Sequence, residues 1–217
     1  MDFDLLLRII EYIGTIAFAI SGALIAIEHK MDILGVMILG STTAVGGGLF
    51  RDILISKDMP SMFTYPWYAL TAVLTTIIVF IVSYIIKKKQ IVIDYKIYRI
   101  CFNIIDSLGL GVFVVVGTTA CLNAGVENHF FIIFCAVLTA VGGGMLRDIM
   151  AAQIPAIFRK HIYCVAAIIG AVFYYIMYIN TDLLRLSAVL TIGIVVVIRY
   201  LAFHFKWNLP KVPVIKE

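Results

Sequence analysis

The chain has 217 residues, of which 63 % are hydrophobic and only 14 % charged. A water-soluble domain carries about a quarter of its residues as charges, so this composition excludes a water-covered surface and points to a protein solvated by lipid. The formal net charge of +4 is modest. Its basic residues fall in loops and at the C-terminus, a pattern that orients helices in a membrane; nucleic-acid binding is not expected.

In chain order, Asp2 and Asp4 make the start acidic and Arg8 is the one nearby cation. That is not the charge pattern of a signal peptide, so the first apolar stretch is read as a helix of the mature protein. A spanning helix needs about 20 mainly apolar residues. Seven segments meet that need, at roughly 5–27, 34–56, 64–86, 101–122, 129–152, 161–180 and 184–204. The predicted fold is an all-α membrane protein with one transmembrane domain over residues 1–205 and a cytoplasmic tail over 206–217.

Seven crossings put the termini on opposite sides. Lys30, Lys87, Lys88, Lys89, Lys96, Arg99, Arg159, Lys160, Lys206, Lys211 and Lys216 share one side, against Arg8, Lys57 and Arg185 on the other. The basic side is expected to be cytoplasmic, which places the protein in the cell inner membrane with its N-terminus outside and its C-terminus inside.

The chain repeats itself. Ala44-Val45-Gly46-Gly47-Gly48-Leu49-Phe50-Arg51-Asp52-Ile53 recurs as Ala140-Val141-Gly142-Gly143-Gly144-Met145-Leu146-Arg147-Asp148-Ile149. Glu11, Gly14, Phe18 and Gly22 correspond to Asp106, Gly109, Phe113 and Gly117, and Pro60 and Phe63 to Pro155 and Phe158. Repeat one covers about 5–86, repeat two about 101–180, and a seventh helix at about 184–204 lies outside both. Three spans per repeat is an odd number, so the second copy enters the membrane from the opposite face. This is an inverted-topology repeat.

The Gly-Gly-Gly-x-x-Arg-Asp element carries the functional argument. Each Gly costs about 1 kcal/mol in a helix interior relative to Ala. Two readings explain the triplets: a break that exposes backbone groups to a water-filled path, or close helix packing. The paired triplets are read here as breaks. A break would leave half-helix ends near the midplane, with carbonyls for cations and amides for anions.

Ser41, Thr42 and Thr43 precede the first triplet and Thr139 the second; their hydroxyls could replace ion hydration or bond between helices. Arg51 and Arg147 are costly at bilayer depth unless paired. Since adjacent helical residues do not face each other, Asp52 and Asp148 are expected to pair with other helices. Glu11 and Asp106 are either solvated end residues or part of the pathway.

The four cysteines form no C-x-x-C pair, and His29, His129, His161 and His204 show no ligand spacing, so no metal or cofactor is expected. P-loop, H-E-x-x-H and G-x-S-x-G motifs are absent, and no enzyme is read here.

The two motifs, Gly46 to Asp52 and Gly142 to Asp148, each on the middle helix of a three-helix repeat, resemble the prokaryotic branch of the trimeric intracellular cation (TRIC) channel family. The resemblance extends to about Phe205. The same domain carries the labels UPF0126 and glycine-transporter domain. The resemblance implies a homotrimer among membrane lipids, with a pore inside each protomer along glycine-kinked helices two and five. It implies monovalent cations as the permeant species, with potassium the physiological candidate. The alternative is a secondary transporter of a small zwitterion such as glycine, with Arg taking the carboxylate and an acid the ammonium.

Overall fold

The computed structural model describes residues 3–92, 94–159 and 162–207. These form nine helices: α1 (Phe3–Glu28), α2 (Ile33–Leu54), α3 (Ser61–Thr64), α4 (Trp67–Lys88), α5 (Tyr95–Asn123), α6 (His129–Met150), α7 (Ala156–Arg159), α8 (Tyr163–Asn180) and α9 (Leu184–His204). Seven of them, all but the four-residue α3 and α7, are long and apolar enough to cross a membrane. The protein is an all-α membrane protein of two inverted three-span repeats plus one further helix.

Local sequence sets the helix ends in matching ways in both repeats. Asp32 caps α2 by accepting from the Gly35 amide at 2.8 Å, and Asn128 caps α6 by accepting from the Phe131 amide at 3.0 Å. Past α2 and α6, Ser56 and Ala152 adopt φ of 55° and 54°, the left-handed turn that stops a helix. The amides of Lys57 and Gln153 then reach back to the carbonyls of Asp52 and Asp148.

Two details differ from the sequence expectation. The chain from Asp94 onward is already helical, because Asp94 accepts from the Lys96 amide and starts α5 well before residue 101. The third span begins at Trp67, just after Pro66, and the short helices α3 and α7 follow Pro60 and Pro155. Proline suits a helix start because it has no amide to lose.

The repeats pack alike. α1 lies on α2 and α4, and α5 on α6 and α8. The repeats join through two crossings, α2 on α6 and α1 on α5. At the second, Phe18 and its counterpart Phe113 stack with centroids 5.1 Å apart. Gly14 leaves room for Val112 there, and Gly109 for Phe18. The surroundings then diverge. α4 buries only Ala72 and Thr76, whereas its counterpart α8 is packed against α9. The seventh span thus flanks repeat two.

Candidate functional site

The glycine triplets sit where α2 crosses α6. Both helices run unbroken through them, which corrects the expected break: the chain offers no half-helix ends there. The reason is contact. A Cβ on Gly47 would collide with the carbonyl oxygen of Thr139, and a Cβ on Gly143 with that of Thr43. Gly46 faces the Leu146 side chain, and Gly142 faces Phe50. The first two glycines of each triplet therefore allow close backbone approach. The third is different. A Cβ on Gly48 would lie 3.6 Å from the Nη2 of Arg51 on its own helix, and one on Gly144 would lie 3.6 Å from the Nη2 of Arg147 but only 3.0 Å from the Tyr163 hydroxyl of α8.

The hydroxyls are largely turned inward. Thr43 donates to the Leu39 carbonyl at 2.6 Å and Thr139 to the Cys135 carbonyl at 2.7 Å. Thr42 is half-buried, and the Ser41 Oγ is buried without a hydrogen-bond partner.

One turn beyond each triplet stands an Arg-Asp unit built the same way twice. Arg51 Nε donates to Asp52 Oδ1 at 2.8 Å, and Arg147 Nε to Asp148 Oδ1 at 2.9 Å. The other oxygen, Oδ2, accepts the amide of Ser61 at 2.5 Å in repeat one and of Ala156 at 2.6 Å in repeat two. Each Asp thus ties its Arg to the first amide of the following short helix. This corrects the expectation that the carboxylates look away from their neighbours. Side chains of this length curl back along the helix, and burial of both charges demands a partner within reach.

The second cluster is the more heavily ion-paired. Arg147 Nη1 donates to Asp106 Oδ1 at 2.6 Å and also to the Ser21 hydroxyl, while its guanidinium lies over the Phe102 ring. Arg199 on α9 approaches Asp106 Oδ2 at 3.7 Å and stacks over Tyr163, 4.5 Å from the ring centroid. Arg147, Arg199, Asp106 and Asp148 are all at most 3 % exposed, and their two positive and two negative charges cancel.

The first cluster is equally buried but less fully paired. Arg51 and Asp52 line a cavity of about 660 Å³ that Glu11, Tyr12, Tyr68 and the exposed Arg8 and Lys57 also border. Glu11, the counterpart of Asp106, is hydrogen-bonded by Tyr68 and makes no ion pair with Arg51 among the described residues. Arg51 Nη2 instead lies 3.4 Å from the Ser61 hydroxyl. Glu11 and Asp106 are therefore both part of these clusters rather than solvated end residues.

Three participants escaped the sequence reading. Arg199 is a charge inside an apolar span, a signal that was available. Tyr163 is the counterpart of Tyr68, so the repeat could have found it. Ser21 has no hydroxyl counterpart, since Val116 takes its place, and only the packing brings it to Arg147. Of the histidines, His29 and His129 are exposed, with His129 bonded to Tyr175; His161 lies outside the described residues.

Known proteins share the repeat and the fold of this chain. The family model described as Glycine transporter matches the chain twice, over residues 8–84 and 103–179, one match per repeat. The UPF0126 membrane protein YvgT of Bacillus subtilis is 32 % identical over 203 residues, covering 94 % of this chain and 95 % of the relative. The UPF0126 inner membrane protein YadS of Escherichia coli K12 is 32 % identical, covering 93 % of each. A solved structure that describes conductance through TRIC cation channels superposes with a TM-score of 0.83 at 31 % identity, over 100 % of both chains. The TRIC orthologue from Rhodobacter sphaeroides matches with a TM-score of 0.83 at 27 % identity, over 93 % of this chain and 99 % of that one. These relatives are membrane proteins and channels rather than enzymes. With both repeats matched and its length covered, the chain belongs to the TRIC family of membrane proteins, which also carries the UPF0126 and glycine-transporter labels.

Proposed function

We propose that this chain is a monovalent-cation channel, with potassium as its ion, that works as a homotrimer with one pore inside each protomer. The path runs from the Arg51 cavity, past the α2–α6 glycine crossing, to the Arg147 cluster. The observation that carries this reading is the pair of homologous charged clusters at the two ends of one crossing, one bordering a cavity of about 660 Å³ and the other more heavily ion-paired. The similar solved structures are TRIC cation channels, which supports conduction. Arg51 would repel a cation, but Asp52 neutralises it in place and Glu11 faces the same cavity. In this reading the Arg147 ion pairs must rearrange for an ion to pass. Gly48, whose missing Cβ faces only the Arg51 guanidinium, leaves that side chain space to move. The chain sits in the cell inner membrane with its N-terminus outside, as the loop charges indicate.

A second reading rests on the same cavity. Arg51 and Glu11 border one cavity as a cation and an anion, the pairing a transporter of a small zwitterion such as glycine requires. Purified protein in liposomes separates the two, with potassium flux and labelled-glycine uptake measured on one preparation. Potassium flux without saturable glycine uptake is the expected result. Saturable glycine uptake without potassium flux would replace the channel with the transporter. The mass of the detergent-solubilised particle is expected to correspond to three copies, and a monomer or dimer would remove the trimer.

A further inference from the structure

A second cavity, of about 720 Å³, lies apart from the Arg51 space, between the start of α5 and the end of α9. Its lining includes Lys96, Arg99, Arg199 and Lys206, together with Tyr95, Tyr200, Phe203 and Trp207, and among the described residues contains no carboxylate. Exposed basic residues at a helix end are ordinary. Arg199 is not: it is 3 % exposed, and its Nε and Nη2 have no hydrogen-bond partner. Its ion-pair partner among the described residues, Asp106, is 3.7 Å away and already bound more closely by Arg147, at 2.6 Å. A buried guanidinium with open donors is costly unless something accepts from it.

Two further features point the same way. Lys96 stands in the first turn of α5, where the helix dipole disfavours a cation and favours an anion. Arg99 lies with its guanidinium 5.8 Å from the ring centroids of both Tyr95 and Phe203. A planar donor fork between two rings, a buried guanidinium and two exposed ammonium groups match a compact oxyanion with several acceptor oxygens. A carboxylate offers two such oxygens, and a phosphate offers more.

We infer that this cavity binds a phosphate-bearing anion, with Arg199 as its floor and Lys96, Arg99 and Lys206 as its rim. The bound anion accepts from the open donors of Arg199. It therefore competes with Asp106 for that side chain and loosens the α9 contribution to the Arg147 cluster. The phosphate comes either from the headgroup of an anionic phospholipid, which the aromatic rim at the end of two spanning helices would admit, or from a free phosphate in solution.

The test uses the full chain in nanodiscs of phosphatidylcholine and reads binding, not flux, so its outcome does not depend on the channel reading. One arm adds phosphatidylglycerol and counts retained lipid by native mass spectrometry. The other titrates inorganic pyrophosphate and follows the thermal unfolding midpoint. Lys96→Gln with Arg99→Gln, both at exposed positions, is expected to weaken binding about tenfold. Lys87→Gln with Lys88→Gln, equal in charge but outside the cavity, is expected to leave it unchanged. A response in the lipid arm alone identifies a headgroup, and a response in the pyrophosphate arm alone a soluble anion; either upholds the site. Binding in neither arm, or equal loss in the two double variants, would overturn it.

Discussion

Gly47 of α2 and Thr139 of α6 meet with no room for a methyl group between them: a Cβ on Gly47 would collide with the Thr139 carbonyl oxygen. The same holds for Gly143 and Thr43. Gly47→Ala and Gly143→Ala are therefore expected to push α2 and α6 apart. A gain in helix propensity of about 1 kcal/mol is outweighed by an overpacking cost of about 1–3 kcal/mol. Gly48→Ala meets only the Arg51 guanidinium, at ordinary contact distance, and should fold normally. Unfolding midpoints of the three variants check this ordering. Equal stability of Gly47→Ala and Gly48→Ala would show that the crossing is looser than described.

Asp106 holds a position that Glu11 does not. It is 1 % exposed, pairs with Arg147 and lies near Arg199, so Asp106→Asn leaves buried positive charge uncompensated. A loss of about 3–5 kcal/mol is expected. Glu11→Gln keeps an acceptor for Tyr68 beside an open cavity and is expected to cost about 1 kcal/mol or less. Denaturation of both variants in one detergent measures the difference, and a larger effect at Glu11 would show that Glu11 rather than Asp106 is the more tightly held acid.

Tyr68 and Tyr163 occupy equivalent places with unlike hydroxyls. Tyr68 bonds Glu11, whereas the Tyr163 hydroxyl is buried without a partner. Tyr163→Phe is expected to be neutral or to stabilise by up to about 1 kcal/mol, because it removes an unsatisfied polar group. Tyr68→Phe is expected to destabilise by a similar amount. If Tyr163→Phe is the more damaging change, an acceptor or water must serve that hydroxyl.

The loop charges predict which surface each end of the helices meets. A cysteine at Lys88 should react with a membrane-impermeant maleimide only from the cytoplasmic side, and one at Gly125 only from outside. The reverse pattern would turn the protein over without altering its fold.

Much of this molecule is legible from residue order. Apolar runs mark the seven spans, and the recurring Gly-Gly-Gly-x-x-Arg-Asp pairs their places. What the order cannot say is how a glycine's freedom is used. A triplet permits a kink or a close approach, and the Thr43 and Thr139 carbonyls that select the second come from the partner helix. The Arg-Asp pairing is hidden from residue order for a related reason. Helical spacing describes where side chains emerge, while Arg51 and Asp52 are joined through their tips and through the Ser61 amide, which returns from beyond the helix end. Arg199 was there to be read as an intramembrane charge, but its reach to Asp106 depends on α9 packing against α5.

The reciprocal contacts at the glycine crossing have an ancestral implication. Gly47 meets Thr139 as Gly143 meets Thr43, Gly46 meets Leu146 as Gly142 meets Phe50, and Phe18 stacks on Phe113. Such swapped pairs are the signature of an isologous dimer interface, in which one surface is its own complement. A single repeat already carries both sides of it. A half-length chain inserted into the membrane in both orientations would bring these surfaces together as an antiparallel pair. Fusion of two such genes would then lock the arrangement and free each copy to diverge, as Glu11 and Asp106, or Ser21 and Val116, have done.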